Sequence, residues 1–205
     1  LLSRGATAWR AGAGFPDAAM QHTRRQVHFV SLTAALIRRE AFAQAGPLDE
    51  DFESYLEDVE FSLRCARIGL KGIYEPAAHA WHRGSATLGG WHPETARRIA
   101  RNQLMIVAKH FPPDWFGQYG HAVVGGQLLW GLVALRHGVG GAFWRGKYQG
   151  IACYSNWRAR STWYQRDDDL ARILLESEQE IAALQAHLGW QSYWRWYFRL
   201  VGSAK

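Results

Sequence analysis

The stretch "YLEDVEFSLRCARIG", residues 55–69, sets two adjacent carboxylates, Glu57 and Asp58, in front of an apolar run with helical spacing. Two readings of that pair are open. Ser54 and Glu57 stand at the S-x-x-E spacing of a capping box, and acids in a first turn suit the positive end of the helix dipole. Gly69 is the residue type that closes a helix in the left-handed conformation. On this reading Glu57 and Asp58 only start a helix that stops at Gly69. The other reading is chemical: a carboxylate at a helix start acts as a general base once burial or neighbouring charge tunes it. Local pattern alone favours the capped helix.

The whole chain narrows the choice. Its 205 residues can bury a core and suggest one or two domains. Apolar residues make up 48% and charged ones 20%, a soluble-class composition, with 11 Trp concentrated in the second half. The net charge of +6 favours anionic partners: nucleotide phosphates, nucleic acid or an acidic membrane surface. Cys65 and Cys153 are too few for a disulfide framework, so reduced, cytoplasmic thiols are expected. No secretory signal pattern is visible, and the chain opens "LLSRGATAWR" without an initiator Met, as a piece of a larger protein would. The apolar stretch 122–135 is too short to span a bilayer and carries Gly and Gln, so it reads as a buried or interfacial helix.

Residues 1–25, rich in Gly, Ala and Arg, read as loop. Val27, Phe29 and Val30 suggest a buried strand, and "RREAFAQAG" a short helix closed by Gly46. "PLDEDF" is an acidic turn, and "KGIYEPAAHAWH" reads as one or two short strands broken at Pro76. "RGSATLGGWHP" is a Gly-rich loop. "ETARRIARNQLMIVAKHF" is a helix with Ile99, Met105 and Ile106 inside and a basic outer face, ending at "FPPDW". Beyond about residue 112 helical stretches are expected at 118–136, 140–158 and 166–188. In the last, Leu174, Ile181 and Leu188 recur every seven residues, with Leu170 and Leu184 in companion positions and Ser177 between them, fewer than three clean heptads of coiled coil. No internal repeat is present.

There is no P-loop, GxGxxG, HExxH, CxxC or G-x-S-x-G. The remaining chemistry is acidic and histidine-based: Asp49, Glu50, Asp51, Glu57, Asp58 and Glu60, then His79, His82 and His92. Carboxylates with imidazole can hold a divalent cation. His79 and His82 would share a helix face but point apart in an extended segment, so only one of them can be a ligand there.

"TAALIRREAFAQAGPLDEDFESYLEDVEFSLRCARIGLKGIYEPAAHAWHRGSAT" resembles the C-terminal half of the catalytic domain of family 2 glycosyltransferases, above all the bacterial branch of rhamnosyltransferases and other surface-polysaccharide enzymes. The resemblance rests on an ordered series over about residues 28–87: "IRRE", "LDEDF", a tyrosine before "EDVEF", then an isolated histidine and "GS", followed by "RN" at Arg101 and Asn102. It shifts the reading of the carboxylate pair from structural to catalytic. The fold it implies is α/β: the C-terminal, acceptor-side part of a GT-A (Rossmann-like) domain in residues 1–111, then an α-helical extension over 112–205.

The same resemblance implies an inverting transferase that moves a sugar from a nucleotide-sugar donor to a glycan or lipid-linked acceptor in surface-polysaccharide synthesis. Asp58 falls on the general base, and Glu57, with Trp81, on the acceptor side. His82 falls on a histidine that approaches the metal, Mg²⁺ or Mn²⁺, or the diphosphate, and Arg83, Ser85 and Arg101 would donate to the donor diphosphate. The implied location is cytoplasmic or peripheral at the inner face of the plasma membrane. The stretch 122–135 and the tail residues Trp190, Tyr193, Trp194, Trp196 and Tyr197, with Arg195 and Arg199, suit an interfacial position, or pack on the catalytic part. Nucleic acid is set aside as a partner, because the basic residues are spread along the chain.

One departure stands out. The family's acidic D-x-D motif, which holds metal and nucleotide, has no strand-flanked counterpart before residue 28, and Asp49 and Asp51 have the spacing but belong to "LDEDF". The chain is therefore expected to lack the nucleotide-binding half, and on its own neither to bind a nucleotide sugar tightly nor to turn over. The alternative is a non-catalytic scaffold or assembly protein derived from such a transferase.

Overall fold

The computed structural model describes residues 1–16, 23–83, 90–166 and 169–202. Two short strands, β1 (Arg25–Val27) and β2 (Gly72–Tyr74), pair antiparallel with Gln26 opposite Ile73. Between them lie helices α1 (Arg39–Ala45) and α2 (Glu57–Arg67), and beyond them α3 (Pro93–His110), α4 (Trp115–Arg136), α5 (Gly140–Ala159), α6 (Leu170–Leu188) and α7 (Ser192–Val201). The helices follow the sequence's punctuation. Gly46 (φ 83°) ends α1. After α2, Gly69 (φ 82°) takes the left-handed turn, with Gly69 N–H donating to Ala66 O and Leu70 N–H to Cys65 O, the paired bonds of a Schellman stop.

The described residues are thus mostly helical, with a sheet of only two strands, and the α/β expectation is met in that coarse sense alone. The strand expected to run through Phe29 and Val30 ends at Val27 for a local reason. Val30 gives its N–H to the Ser62 hydroxyl at 3.0 Å, and its carbonyl accepts from the same hydroxyl at 3.2 Å. The backbone is tied to the side of α2 instead of to a neighbouring strand.

The main core draws on Leu2, Phe52, Leu63, Met105, Phe111 and Leu174, so the stretches 1–111 and 112–205 share it. Helices α3 and α5 lie close because α5 turns Gly146 and Gly150 toward α3. A Cβ on Gly146 would stand 2.1 Å from the Arg97 carbonyl oxygen, and one on Gly150 2.8 Å from a Leu104 methyl. Inside this contact Lys147 is buried, its ammonium donating to the Ala100 carbonyl and the Gln103 side chain, each at 2.9 Å, and to Gln127. Burial lowers its pKa to about 7.

The first nine residues, read as loop, are irregular but enclosed. Leu2 N–H donates to Ser177 Oγ at 2.8 Å, Arg4 binds Glu178, and Gly5 N–H donates to the Tyr197 hydroxyl at 3.1 Å. Leu2 and Ala6 are fully buried. This segment is what the apolar stripe of α6 packs on, together with α7, so the heptad-like spacing serves an intramolecular contact. Ser177, the polar break in that spacing, is the residue that receives the chain.

Candidate active site

Helix α2 begins at Glu57 as its sequence implies, but not by a capping box. Leu56, the residue before it, is left-handed (φ 71°) and gives no side-chain cap. The Ser54 hydroxyl instead accepts from the Arg98 guanidinium at 2.8 Å. Glu53 (φ 58°) and Tyr55 (φ 71°) are left-handed too. Three non-glycine residues in that region cost on the order of 1–3 kcal/mol each, and such strain persists only where surrounding structure enforces it.

Helix α3 enforces it. The buried Asn102 amide nitrogen lies 2.9, 3.0 and 2.7 Å from the carbonyl oxygens of Phe52, Ser54 and Tyr55. Arg101 donates to the Glu53 carboxylate at 2.6 Å and to the carbonyls of Asp51 and Phe52. The Tyr55 hydroxyl meets Thr95 Oγ1 at 3.0 Å. The "RN" pair of the sequence is therefore a clamp on the loop that delivers Glu57 and Asp58. Replacing Asn102 by alanine removes the amide from the Ser54 and Tyr55 carbonyls and leaves the Phe52 carbonyl only its Arg101 donor at 3.2 Å. The expected result is a loss of about 1–3 kcal/mol in urea denaturation, the cost of unmade buried hydrogen bonds.

The two carboxylates differ. Asp58 is half-buried, and its Oδ1 accepts the Val59 N–H at 2.8 Å, which fixes the side chain over the first turn. Glu57 is also half-buried, with Oε2 enclosed and without a hydrogen-bond partner among the described residues. Burial, reinforced by the Asp58 charge, raises the Glu57 pKa above the ordinary glutamate value. Three residues on, Glu60 is structural. It is buried in an ion pair with Arg64 at 2.9 Å and takes a hydrogen bond from His110 Nε2 at 3.0 Å. Burial opposes its charge, but His110 and Arg64 outweigh burial and hold its carboxyl below the usual range. Burial likewise keeps His110 neutral, which fits Nε2–H as donor and Nδ1 facing the Arg67 guanidinium. Sequence reasoning passed over His110 because a histidine ending "MIVAKH" carries no spacing signal.

The other expected site residues are not gathered around this pair. Trp81 is fully exposed (102%), and His82 and Arg83 are exposed; none of the three makes a hydrogen bond, ion pair or ring contact with another described residue. Arg101 directs its donors to the loop and to Asn102, a positioning part. Ser85 lies outside the described residues. No group of three or more His, Cys, Asp or Glu that could hold a metal occurs among the described residues. The Mg²⁺ or Mn²⁺ expected at His82 thus has no such group among the described residues, and no step below passes through it. Asp49 and Asp51, the D-x-D look-alike, are ion-paired with Lys109 and Arg160. A cavity of about 290 Å³ is lined by Asp49, Glu60, Arg64, Lys109, Arg160 and Trp163, and by neither Glu57 nor Asp58.

A strained, clamped loop ending in two inequivalent carboxylates is what comparison with known proteins has to explain. The chain is 33% identical over 70 residues to N-acetylglucosaminyl-diphospho-decaprenol L-rhamnosyltransferase, in each of two strains of Mycobacterium tuberculosis. Part of this chain is similar to a glycosyltransferase. That part is 34% of the chain and 23% of the relative's length, so the likeness leaves most of the relative uncovered. No family model matches the chain, and no solved structure matches it.

Proposed function

We propose that this chain carries the acceptor-side catalytic part of an inverting glycosyltransferase, with Asp58 as general base. The observation that carries the reading is the mount of the Glu57–Asp58 pair: three left-handed residues in the loop before α2, held by Asn102 and Arg101. Strained backbone at the start of a helix that presents two carboxylates is the arrangement of a working site, and the likeness to a rhamnosyltransferase supports it. In the reaction the acceptor hydroxyl oxygen attacks the sugar's anomeric carbon. The bond from that carbon to the nucleoside diphosphate breaks in line, and the hydroxyl proton passes to Asp58. Glu57 holds its own proton to higher pH than an ordinary glutamate, which suits a hydrogen bond to the acceptor.

The donor is proposed to be a nucleotide sugar, bound chiefly by a nucleotide-binding half other than these residues, and the acceptor a glycan or lipid-linked sugar of surface-polysaccharide synthesis. The test supplies the protein, as the cell makes it, with nucleotide-sugar donors and a diphospholipid-linked sugar acceptor, and reads the anomeric configuration of the product by NMR. Transfer with inversion is expected. Retention, or no transfer from any donor, overturns the reading.

A further inference from the structure

The helical part presents a face that neither the fold nor the reaction uses. On α4, Val124, Leu128, Leu132 and Leu135 follow one another at helical spacing along one side and are 53–66% exposed. Helix α5 packs against α4 by setting Phe143 on Gly131, and beside that contact it turns Trp144, Tyr148 and Ile151 outward. Helix α7 packs on the opposite flank of α4, with a Leu200 methyl 3.9 Å from the Cβ position of Gly125, and leaves Trp196 and Leu200 exposed. The three stripes adjoin, so α4 is the centre of one apolar face flanked by aromatic residues. Contiguous apolar surface on this scale marks an interaction site.

Charge decides what covers it. Between Trp115 and Arg166 the sequence has no Asp or Glu, and α7 has none either. Arg136, Arg145, Arg195 and Arg199 are all exposed and form no ion pair with a described residue. Arg199 lies over the Trp196 ring, 5.1 Å from its centroid. A second copy would bring these arginines against one another across a shared two-fold face, which disfavours self-association. An anionic bilayer surface satisfies both parts, because apolar side chains enter the acyl boundary while Arg reaches phosphate and Trp and Tyr sit at headgroup depth. No helix among the described residues is long and apolar enough to cross a membrane, so the contact lies in the plane of the interface.

We infer that the α4–α5–α7 face seats the protein on a membrane surface containing anionic lipid. The inference does not rest on the transferase reading: a catalytically dead protein would bind the same surface. It divides the tail aromatics, with Trp194 and Tyr197 buried and Trp190 and Trp196 exposed, and it adds α5, whose part the sequence did not reveal.

The test is co-sedimentation of the full chain with vesicles of phosphatidylcholine, with and without phosphatidylglycerol. Binding to the anionic vesicles is expected, falling with salt. Leu128→Glu with Leu132→Glu, both on the exposed side and so compatible with the fold, is expected to abolish it. Arg195→Glu with Arg199→Glu is expected to weaken it by about tenfold or more, at about 1 kcal/mol for each basic residue near the surface. Unchanged helical circular dichroism shows that the variants are folded. No binding to anionic vesicles, or equal binding to both vesicle types, overturns the inference. A concentration-dependent dimer abolished by the leucine variants, without vesicle binding, assigns the face to a second copy and overturns it too.

Discussion

In the full-length protein, Asp58→Asn is expected to lower the sugar-transfer rate between about 10²- and 10⁴-fold, the usual contribution of a positioned general base, while unfolding at the same urea concentration as the parent. Asparagine keeps the shape and retains an oxygen to accept the Val59 N–H that Asp58 now holds at 2.8 Å. Asp58 forms no ion pair among the described residues, so the exchange removes proton affinity and little else. The first turn of α2 carries Glu57 and Glu60 as well, so loss of one acid there takes away only a few tenths of a kcal/mol of helix-dipole stabilisation. Rate and stability therefore separate cleanly. A scaffold derived from a transferase would show neither change, and an unaltered transfer rate in Asp58→Asn would remove Asp58 from the chemistry.

The largest loss of stability is expected from Glu178→Ala, at about 3–5 kcal/mol, because it leaves a buried charge uncompensated. Glu178 is fully buried. Its Oε1 accepts the Arg4 N–H at 2.8 Å and the Tyr197 hydroxyl at 2.6 Å, and its Oε2 takes the Arg4 guanidinium at 2.7 and 2.8 Å. One carboxylate thus joins the opening segment, α6 and α7. Without it the Arg4 guanidinium, 8% exposed, has no ion-pair partner among the described residues. Burial, the largest cause of the raised Tyr197 pKa, persists without Glu178, so the phenol does not supply the missing anion. Glu178→Gln preserves the shape and some of the bonds and is expected to fall between parent and alanine. A loss below about 1 kcal/mol in urea denaturation would show that the segment is held mainly by Leu2 and Ala6.

The helices were legible because their signals are local. Periodicity placed Met105 and Ile106 inside α3, and Gly46 and Gly69 marked ends that the backbone confirms with positive φ. The mount of the carboxylate pair was not, because its cause lies elsewhere in the chain. Ser54 has the right spacing to cap α2, yet Arg98, 44 residues away in sequence, takes its hydroxyl. Nothing in "FESYL" announces left-handed backbone; that conformation is imposed by the Asn102 amide from α3. The opening segment misled for the opposite reason. Small residues such as Gly5 and Ala6 look like loop, but their smallness is what lets them thread between helices, since a Cβ on Gly5 would come within 2.6 Å of the Ala122 carbonyl. Tail aromatics could be named but not oriented: only packing shows that Trp194 turns in against Trp9 while Trp196 turns out.

That threading has a kinetic consequence. The bonds from Leu2 to Ser177 and from Gly5 to Tyr197 close loops of 175 and 192 residues, nearly the whole chain. Contacts so distant add little to a folding nucleus, and loop closure of this length must precede any reward from them. On the ribosome Leu2 and Gly5 emerge before α6 and α7, and they stay unsatisfied until those helices have been made. Residues made long before α6 and α7 are thus among the last to find their places.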